Sequence, residues 1–241
     1  MKNDITVLIP VSPIPTHPST EVIDQTVASV RERLPDSEII IMFDGVAPWL
    51  MEYKTQYEGF KQRYVDYCAK ERNMLPVVFD QHMHQSLMMR EALDMVTTPM
   101  VLFLEQDTPL HNDIPFDKLV EPIKTGYANL IRFHFEAQIH PEHEHLMLDK
   151  EPLDILGVPL LRTRQWSQRP HLASTQYYRD ICNKYWDNKP RFIEHIMYGI
   201  VVDGNFDEHR LHMYAPKGTL VRSLHVDGRR KGAAEYDPTP S

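Results

Sequence analysis

The chain has 241 residues, of which 42% are hydrophobic and 25% are charged, and its formal net charge is −8 at pH 7. This composition is typical of a globular protein with a sizeable core. The negative charge disfavours a protein that mainly grips nucleic acid, because phosphate binding needs clustered Lys and Arg. The short, proline-broken apolar start and the lack of a run of about 18 apolar residues disfavour a signal peptide and a membrane span, so we expect a cytoplasmic protein.

The first half of the chain alternates strand and helix patterns. Continuous apolar runs predict strands at 5–11, 38–43, 75–79 and 100–104, and helical periodicity predicts helices at 20–34, 49–72 and 84–96. Such an alternation is typical of an α/β fold with a mostly parallel sheet and helices on both faces. Right-handed crossovers would make the structure doubly wound.

The second half is less regular, and we expect a mixed arrangement there. Its patterns predict a strand at 128–139, helices at 174–186 and 192–201, and a hairpin at 212–226 with Lys217 and Gly218 at its turn. We expect residues 1–228 to form a single domain on one sheet, with a first half to about residue 110 and a second half from 111 to 228. Residues 229–241 have few apolar anchors and are expected to form a flexible tail.

Polar residues follow each predicted strand of the first half. Ser12 follows the first strand, Asp44 the second, Asp80 the third, and the stretch Glu105-Gln106-Asp107 follows the fourth. Ligands of open parallel sheets bind beyond the carboxyl ends of the strands, so these groups mark a candidate site. Asp44 and Asp80 are also common turn residues, which leaves a purely structural role open.

The spacing of Glu105 and Asp107 indicates a cation site. Residues i and i+2 of an extended segment point to the same side, roughly 6–7 Å apart. Two carboxylates so placed suit Mg²⁺ or Mn²⁺, which takes one or two carboxylates and completes its shell with water and phosphate oxygens. The alternative is that Asp107 caps the following turn and Glu105 is solvated.

The order of elements and the acids ending the fourth strand resemble the GT-A fold glycosyltransferases that use nucleotide sugars, in particular family 2-like members. The hallmark of that family is an Asp-x-Asp motif at this place, and Glu105-Gln106-Asp107 departs from it in the first acid while keeping the charge. The resemblance implies a GT-A fold, a Mn²⁺ or Mg²⁺ cofactor, and transfer from a nucleoside diphosphate sugar, with UDP favoured, to an acceptor hydroxyl with inversion.

The resemblance also implies roles for single residues. Pro10, Ser12 and Asp44 match the positions that hold the nucleotide base and ribose, and Gln106 lies within the acidic motif. Arg90 matches an arginine directed to the diphosphate or donor sugar, with a solvent-facing side chain as the alternative.

Four further candidate residues lie in the second half. Glu194 matches the catalytic base of inverting members, and His195 beside it is a candidate substrate-binding residue. His225 matches a late histidine that joins Glu105 and Asp107 in the metal shell, although a lone histidine after a strand is often structural. Arg164, in the basic stretch 160–171, is a candidate for contacting the diphosphate or the acceptor, with a solvated arginine as the alternative.

Histidines outside this set leave alternatives open. His140, His143 and His145 alternate with acids in a proline-containing loop, which suits either a transition-metal site of a hydrolase or a solvated excursion. His82 and His84 flank the expected site and are candidates for donor or acceptor contact.

Other enzyme classes are disfavoured by the loop after the first strand. No Gly-x-Gly-x-x-Gly motif is present, which disfavours dinucleotide-binding and P-loop enzymes. The proline-rich stretch 10–19 cannot supply the row of backbone N–H donors that a nucleotidyltransferase would use. A non-catalytic nucleotide- or carbohydrate-binding module of the same fold remains an alternative.

The acceptor is left open by the sequence: a glycan, a lipid, a protein or a modified nucleic-acid base. Basic residues between 162 and 191 and at 229–231 are compatible with a nucleic-acid acceptor. Cys68 and Cys182 have no metal-type spacing and are predicted to be buried free thiols.

Overall fold

The computed structural model describes residues 4–226, which contain nine strands and seven α-helices. The strands are β1 Ile5–Val11, β2 Glu38–Phe43, β3 Met74–Val78, β4 Met100–Phe103, β5 Leu130–Arg132, β6 Leu153–Ile155, β7 Val158–Arg162, β8 His171–Ser174 and β9 Leu211–Tyr214. The helices are α1 Glu21–Arg33, α2 Lys54–Cys68, α3 His84–Met95, α4 Phe116–Lys124, α5 Thr175–Tyr185, α6 Ile193–Asp203 and α7 Phe206–His209. Two 3₁₀-helices span Pro48–Tyr53 and Pro141–Leu146.

All nine strands belong to one sheet with the order β3-β2-β1-β4-β8-β5-β9-β7-β6. The first four strands pair in parallel, as their continuous apolar runs predicted. Beyond β4 the sheet is mixed, with antiparallel pairs at β4–β8, β8–β5, β9–β7 and β7–β6 and one parallel pair at β5–β9. The predicted α/β class with a parallel first half and a mixed second half is therefore confirmed.

The sheet has a core on each face, because every residue of β1 is buried and successive side chains point to opposite sides. One core packs α1, α2 and α4 against the sheet, with Ile23, Phe60 and Leu119 among its buried residues. The other packs α3, α5 and α6, with Met89 and Ile181 among its members. The chain leaves β1 for β2 on one side and returns through α3 to β4 on the other, which opens a crevice between the ends of β1 and β4.

The strand predicted at 128–139 is much shorter than expected. Only β5, residues 130–132, joins the sheet, and Phe133 N–H makes one further bond, of 2.8 Å, to the carbonyl of Pro170. Pro170 has no N–H to donate in return, so the ladder with the strand beside β5 ends there.

The hairpin predicted at 212–226 is wrong. Both edges of β9 are occupied, by β5 on one side and β7 on the other, so the chain after Lys217 and Gly218 cannot fold back onto it. Instead the return segment, residues 221–226, runs beside the turn that follows β4. Val226 N–H donates to the Asp107 carbonyl at 2.8 Å, and Leu224 N–H donates to the Pro109 carbonyl at 2.9 Å.

The remaining expectations concern the cysteines, membrane spans and the tail. Cys68 and Cys182 are buried and unbonded to each other, as predicted. No helix within residues 4–226 is both long and apolar enough to cross a membrane. The tail predicted at 229–241 and the basic residues 229–231 lie outside the described residues.

Candidate functional site

A cavity of about 580 Å³ lies at the carboxyl ends of β1, β2 and β4. We call it the first cavity. Its lining includes most of the residues that the sequence placed there: Pro10, Ser12, Asp44, Glu105, Gln106, Asp107 and His225. Trp49, Leu50 and Tyr53 of a 3₁₀-helix form a further wall. The structure therefore brings the predicted nucleotide-binding and acidic residues to one cavity.

The turn after β4 is fixed by bonds to neighbouring elements. Thr108 Oγ1 accepts from the N–H of Glu105 at 2.9 Å, which closes the turn on itself. Gln106 Nε2 donates to the carbonyl of Ser12 at 3.1 Å, and Thr26 Oγ1 of α1 donates to the carbonyl of Gln106 at 2.9 Å. Gln106 therefore joins the β4 turn to the loop after β1 across the crevice.

Asp107 and His225 are neighbours in the lining of the first cavity. His225 Nε2 lies 3.4 Å from Asp107 Oδ2, because the return segment pairs with the β4 turn at this point. The Asp107 side chain is thus directed at a histidine, as the metal-site interpretation expects and the turn-cap alternative does not.

Glu105 lies in an environment that disfavours its charge. Gln85 Nε2, from α3, donates to Glu105 Oε1 at 2.5 Å. Burial and the neighbouring negative charge of Asp107 raise the pKa of Glu105 to about 7, although Arg169, Gln85 and His225 act in the opposite direction. Two carboxylates that destabilise each other in this way would be relieved by a cation.

The three predicted metal ligands do not form a ready-made group. Within residues 4–226, no set of three or more His, Cys, Asp or Glu side chains is arranged to hold a metal ion. Asp107 and His225 do come together, whereas an oxygen of Glu105 is bound to Gln85. One carboxylate oxygen and one imidazole nitrogen fit Mn²⁺ or Mg²⁺ of the kind that takes most of its ligands from water and substrate phosphates.

Asp44 has a structural task at the mouth of the first cavity. Its carboxylate accepts the N–H of Met83 at 2.6 Å and the N–H of His84 at 3.1 Å, and it lies 2.8 Å from His82 Nδ1. These bonds fix the start of α3 beside the cavity. Asp44 lines the cavity as predicted, but its carboxylate is engaged in hydrogen bonds with backbone N–H groups of the protein.

A second cavity of about 600 Å³ adjoins the first. The two share Glu105, Phe192 and His225 as a common wall. Glu194, in the first turn of α6, lines only the second cavity, together with the exposed His195. The predicted base is therefore separated from the nucleotide-binding residues by a wall that carries two of the predicted metal ligands, Glu105 and His225, whereas Asp107 lines only the first cavity.

A glutamine bridge, formed by Gln85 and Gln168, links the acidic motif to Glu194. Gln168 Nε2 donates to Gln85 Oε1, and Gln85 in turn donates to Glu105. The N–H of Gln168 donates to Glu194 Oε2 at 2.9 Å. Sequence analysis missed this bridge, because glutamine 85 and glutamine 168 are far apart in the chain and neither belongs to a motif.

Two predicted arginines do not reach either cavity. Arg90 is bound to the end of α5: its Nη2 donates to the carbonyl of Trp186 at 2.8 Å and its Nε to Cys182 Sγ at 3.3 Å. Arg164 is exposed, and its N–H donates to the carbonyl of Leu146 at 2.8 Å. Neither lines the first or the second cavity, so the structure does not support their assignment to substrate.

Two other arginines take their place in the second cavity. Arg169 lies in the same basic stretch as Arg164, and its guanidinium carbon stacks 3.5 Å from the ring centre of Phe135. Arg132 is the last residue of β5 and is only 3% exposed. Arg132 could have been noticed in the sequence, because it is a charged residue within a predicted apolar strand. No pattern distinguished Arg169 from Arg164.

The histidine-rich loop does not form the predicted three-histidine centre. His140 and His145 are exposed, and His140 caps the 3₁₀-helix Pro141–Leu146. His140 and His143 line the second cavity with ring centres 6.1 Å apart, whereas His145 does not line it. His82 and His84 do line the first cavity, as one interpretation allowed.

Comparison with solved structures identifies the fold. The S. aureus TarS 1–349 structure superposes with a TM-score of 0.58 at 12% identity, covering 91% of this chain and 59% of that one. The same protein in complex with UDP-GlcNAc gives 0.57 at 11% identity, covering 91% and 57%. GalNAc-T7 with UDP, GalNAc and Mn²⁺ gives 0.55 at 10% identity, covering 88% and 42%.

These neighbours have the GT-A fold, so the fold expected from the sequence is confirmed. This chain spans less than three fifths of the length of the TarS 1–349 chain. No protein-family model matches the sequence, and no curated protein matches it.

Proposed function

We propose that this protein is a metal-dependent glycosyltransferase that moves a sugar from a nucleoside diphosphate sugar, with UDP favoured, to an acceptor hydroxyl with inversion of configuration. One observation carries the proposal. Asp107, which lines the first cavity, lies 3.4 Å from His225, which belongs to the wall that the first cavity shares with the second, and Glu194 lines the second.

The first cavity suits the donor. It lies at the switch point between β1 and β4, where α/β sheets bind their ligands. Its volume of about 580 Å³ falls in the range of small-molecule sites. Trp49 is 69% exposed at its rim, and the aromatic ring offers a surface on which a nucleobase can stack. The solved neighbours include structures with UDP, UDP-GlcNAc and, for GalNAc-T7, Mn²⁺.

The second cavity suits the acceptor. In this arrangement Asp107 and His225 would hold the metal ion, which supplies positive charge to the leaving diphosphate. Glu194 would accept the proton of the acceptor hydroxyl as its oxygen attacks the anomeric carbon from the side opposite the leaving group. Gln168 and Gln85 would keep that base at a fixed distance from the acidic motif.

We propose the same division for the chain as a whole: one domain over residues 1–228, with a donor half to about residue 110 and an acceptor half from 111 to 228. The distribution of cavity residues supports it. Apart from Phe192 and His225, the residues that line the first cavity lie before residue 110. Apart from Glu105, those that line the second lie after it.

Replacement of the proposed base tests the reaction. Glu194→Gln keeps the size of the side chain and removes its ability to take a proton. We expect transfer from UDP-sugar to fall by at least about 100-fold, the usual contribution of a general base, while UDP binding stays within about twofold. Transfer can be followed by UDP release, with the exposed Glu52→Gln as control. Full activity of Glu194→Gln would overturn the assignment.

A non-catalytic binding module of the same fold is the second candidate. Such a module would bind UDP-sugar in the first cavity but would neither transfer nor hydrolyse it in the presence of Mn²⁺. The hydrolase alternative based on the histidine-rich loop receives no support from the positions of His140, His143 and His145.

A further inference from the structure

Arg132 is a buried cation whose charge is offset only in part, by the carboxylate of Glu194 beyond ion-pair distance. Its side chain lines the second cavity, yet the residue is only 3% exposed. Within residues 4–226, its Nε and Nη2 atoms have no hydrogen-bond partner, and no carboxylate forms an ion pair with it within 4.0 Å. Two strong donors of a residue that lines the cavity therefore stand unused.

This arrangement is costly for the protein alone. Burial lowers the pKa of Arg132 only to about 10, so the guanidinium keeps its charge at neutral pH. An unpaired buried charge opposes folding, and buried polar atoms without partners are rare in native proteins. A ligand that supplies the missing acceptors would relieve this cost. The planar fork of the guanidinium matches phosphate and carboxylate oxygens in a bidentate manner.

A second cation lies on the same cavity. Arg169 also lines it, held against the ring of Phe135 at 3.5 Å. The positive charges of Arg132 and Arg169 repel each other, although the attraction of Glu194 is the larger of the two effects on Arg132. An anion placed between two guanidiniums would turn this repulsion into two attractions.

The acids of the second cavity attract the two arginines without bonding to them in residues 4–226: Glu194 acts on both arginines, and Glu105, which is bound to Gln85, acts on Arg169. Glu194 accepts the N–H of Gln168 and forms no ion pair with Arg132 within 4.0 Å, as far as the described part of the chain goes. Glu136 lies 3.7 Å from a ring nitrogen of His134, and Glu142 lies 3.8 Å from His140 and is largely exposed.

The position of the two arginines assigns them to the acceptor side. Neither Arg132 nor Arg169 lines the first cavity, whereas both share the second with Glu194. We propose that Arg132, assisted by Arg169, binds a phosphate group carried by the acceptor and so orients the acceptor hydroxyl toward Glu194. The role of the phosphate in transfer rests on the function proposed above; the phosphate site itself does not.

Calorimetric titration of the full chain with inorganic phosphate tests the site, in a buffer without other oxyanions. The titration is made with and without saturating UDP and Mg²⁺, which occupy the donor side. We expect phosphate to bind in both cases. We expect Arg132→Met to weaken phosphate binding at least tenfold and to leave UDP binding within about twofold. Arg164→Met, an exposed arginine outside both cavities, is the matched control and should bind phosphate like the wild type.

Two results would overturn the proposal directly: the affinity for phosphate is unchanged in Arg132→Met, or the wild-type protein binds no phosphate. Complete displacement of phosphate by UDP would also overturn it, because the anion site would then belong to the donor diphosphate. If Arg132→Met does not fold, Arg169→Met on the partly buried loop replaces it, with the same expectation and the same contrary result.

The titration also separates this proposal from the transferase function. Phosphate binding that depends on Arg132, in a chain that does not bind UDP, would support the anion site and contradict the proposed transferase. UDP binding without phosphate binding would contradict the anion site alone.

Discussion

At the scale of single residues, Glu105 shows why the acidic motif needs a cation. Its carboxyl group is close to Asp107, partly buried, and bound to Gln85. Burial and the charge of Asp107 raise its pKa from 4.5 to about 7, so near neutral pH the folded protein tolerates the ionised form poorly. Sites that destabilise the free protein in this way are common where a ligand is bound.

This raised pKa predicts the pH dependence of Glu105→Gln. The protonated carboxyl favours the folded state, so its contribution to stability is fully present below pH 4.5 and is lost as the pH rises through about 7. Glutamine does not ionise, so the Glu105→Gln variant does not lose stability in this way as the pH rises. The free energy of unfolding of Glu105→Gln, relative to the wild type, should therefore rise by about 1–3 kcal/mol between pH 5 and pH 8.

Urea unfolding without metal ions at the two pH values measures the effect. The control is Glu52→Gln, on the exposed 3₁₀-helix, which should show no such change. This account of Glu105 would be contradicted if the free energies of unfolding of Glu105→Gln and the wild type differed by the same amount at both pH values.

The residues of the site differ in how far the sequence could identify them. Glu105 and Asp107 stood out because two acids at spacing i, i+2 end an apolar strand. Arg90 was chosen by its position in the family's pattern and Arg164 because it lies in a basic stretch, and the structure places them against α5 and in solvent. Nothing in the sequence tells which arginine of the basic stretch faces inward, since that depends on the turn between β7 and β8.

At the scale of elements, close packing of two loops controls the shape of the first cavity. Gly45 follows β2, and a Cβ at this position would lie 2.2 Å from the backbone carbon of Gln81. Gly45 N–H also donates to the Gln81 carbonyl at 3.2 Å. The loop that Asp44 binds, residues 82–84, begins directly after this contact.

Gly45→Ala should therefore displace the loop and damage the cavity. Because the clashing atoms are backbone atoms, side-chain rearrangement cannot relieve the contact. We expect a loss of about 1–3 kcal/mol in stability, the usual cost of overpacking, and at least tenfold weaker UDP binding. Gly59→Ala, in α2 with open space around the added methyl, is the control and should gain about 0.5–1 kcal/mol. The argument would be contradicted if Gly45→Ala and Gly59→Ala had the same affinity for UDP in calorimetry and the same stability in thermal unfolding.

Elements of the first half could be predicted from the sequence, and those of the second half only in part. The bounds of β1, β2, β4, α1 and α3 were predicted to within one residue, because their hydrophobic periodicity is local and continuous. The strands β5, β6 and β8 have three or four residues each, too few for a periodic pattern. The return segment that carries His225 was misread as a hairpin because its partner, the β4 turn, lies more than 100 residues earlier.

At the scale of the whole molecule, the fold buries several histidines that the proposed chemistry does not use. His17, His134, His171 and His212 are each at most 5% exposed. Burial lowers the pKa of His17 from 6.5 to about 3 and those of the other three to about 4. The folded protein therefore requires their neutral forms.

Stability should accordingly fall on mild acidification. The unfolded chain binds protons on these histidines below about pH 6.5 and the folded chain does not, so their contribution is present above pH 6.5 and is lost as the pH falls toward 4. The expected loss is on the order of 1 kcal/mol per histidine per pH unit, which outweighs the single opposite contribution of Glu105. Urea unfolding at pH 7, 6 and 5 measures it, with the exposed His140→Gln as control. A free energy of unfolding that stays constant over this range would contradict the interpretation.

The central claim is that Asp107 and His225, which both line the first cavity, bind a nucleoside diphosphate through a divalent metal ion. Calorimetric titration of UDP into the wild-type protein, with Mn²⁺ or with EDTA, tests it most directly when paired with Asp107→Asn and the exposed control Asp113→Asn. We predict UDP binding that requires Mn²⁺, persists in Asp113→Asn, and is weakened at least tenfold in Asp107→Asn. The claim would be contradicted if the affinity for UDP were unchanged by EDTA and by Asp107→Asn. It would also be contradicted if the wild-type protein bound no UDP under any of these conditions.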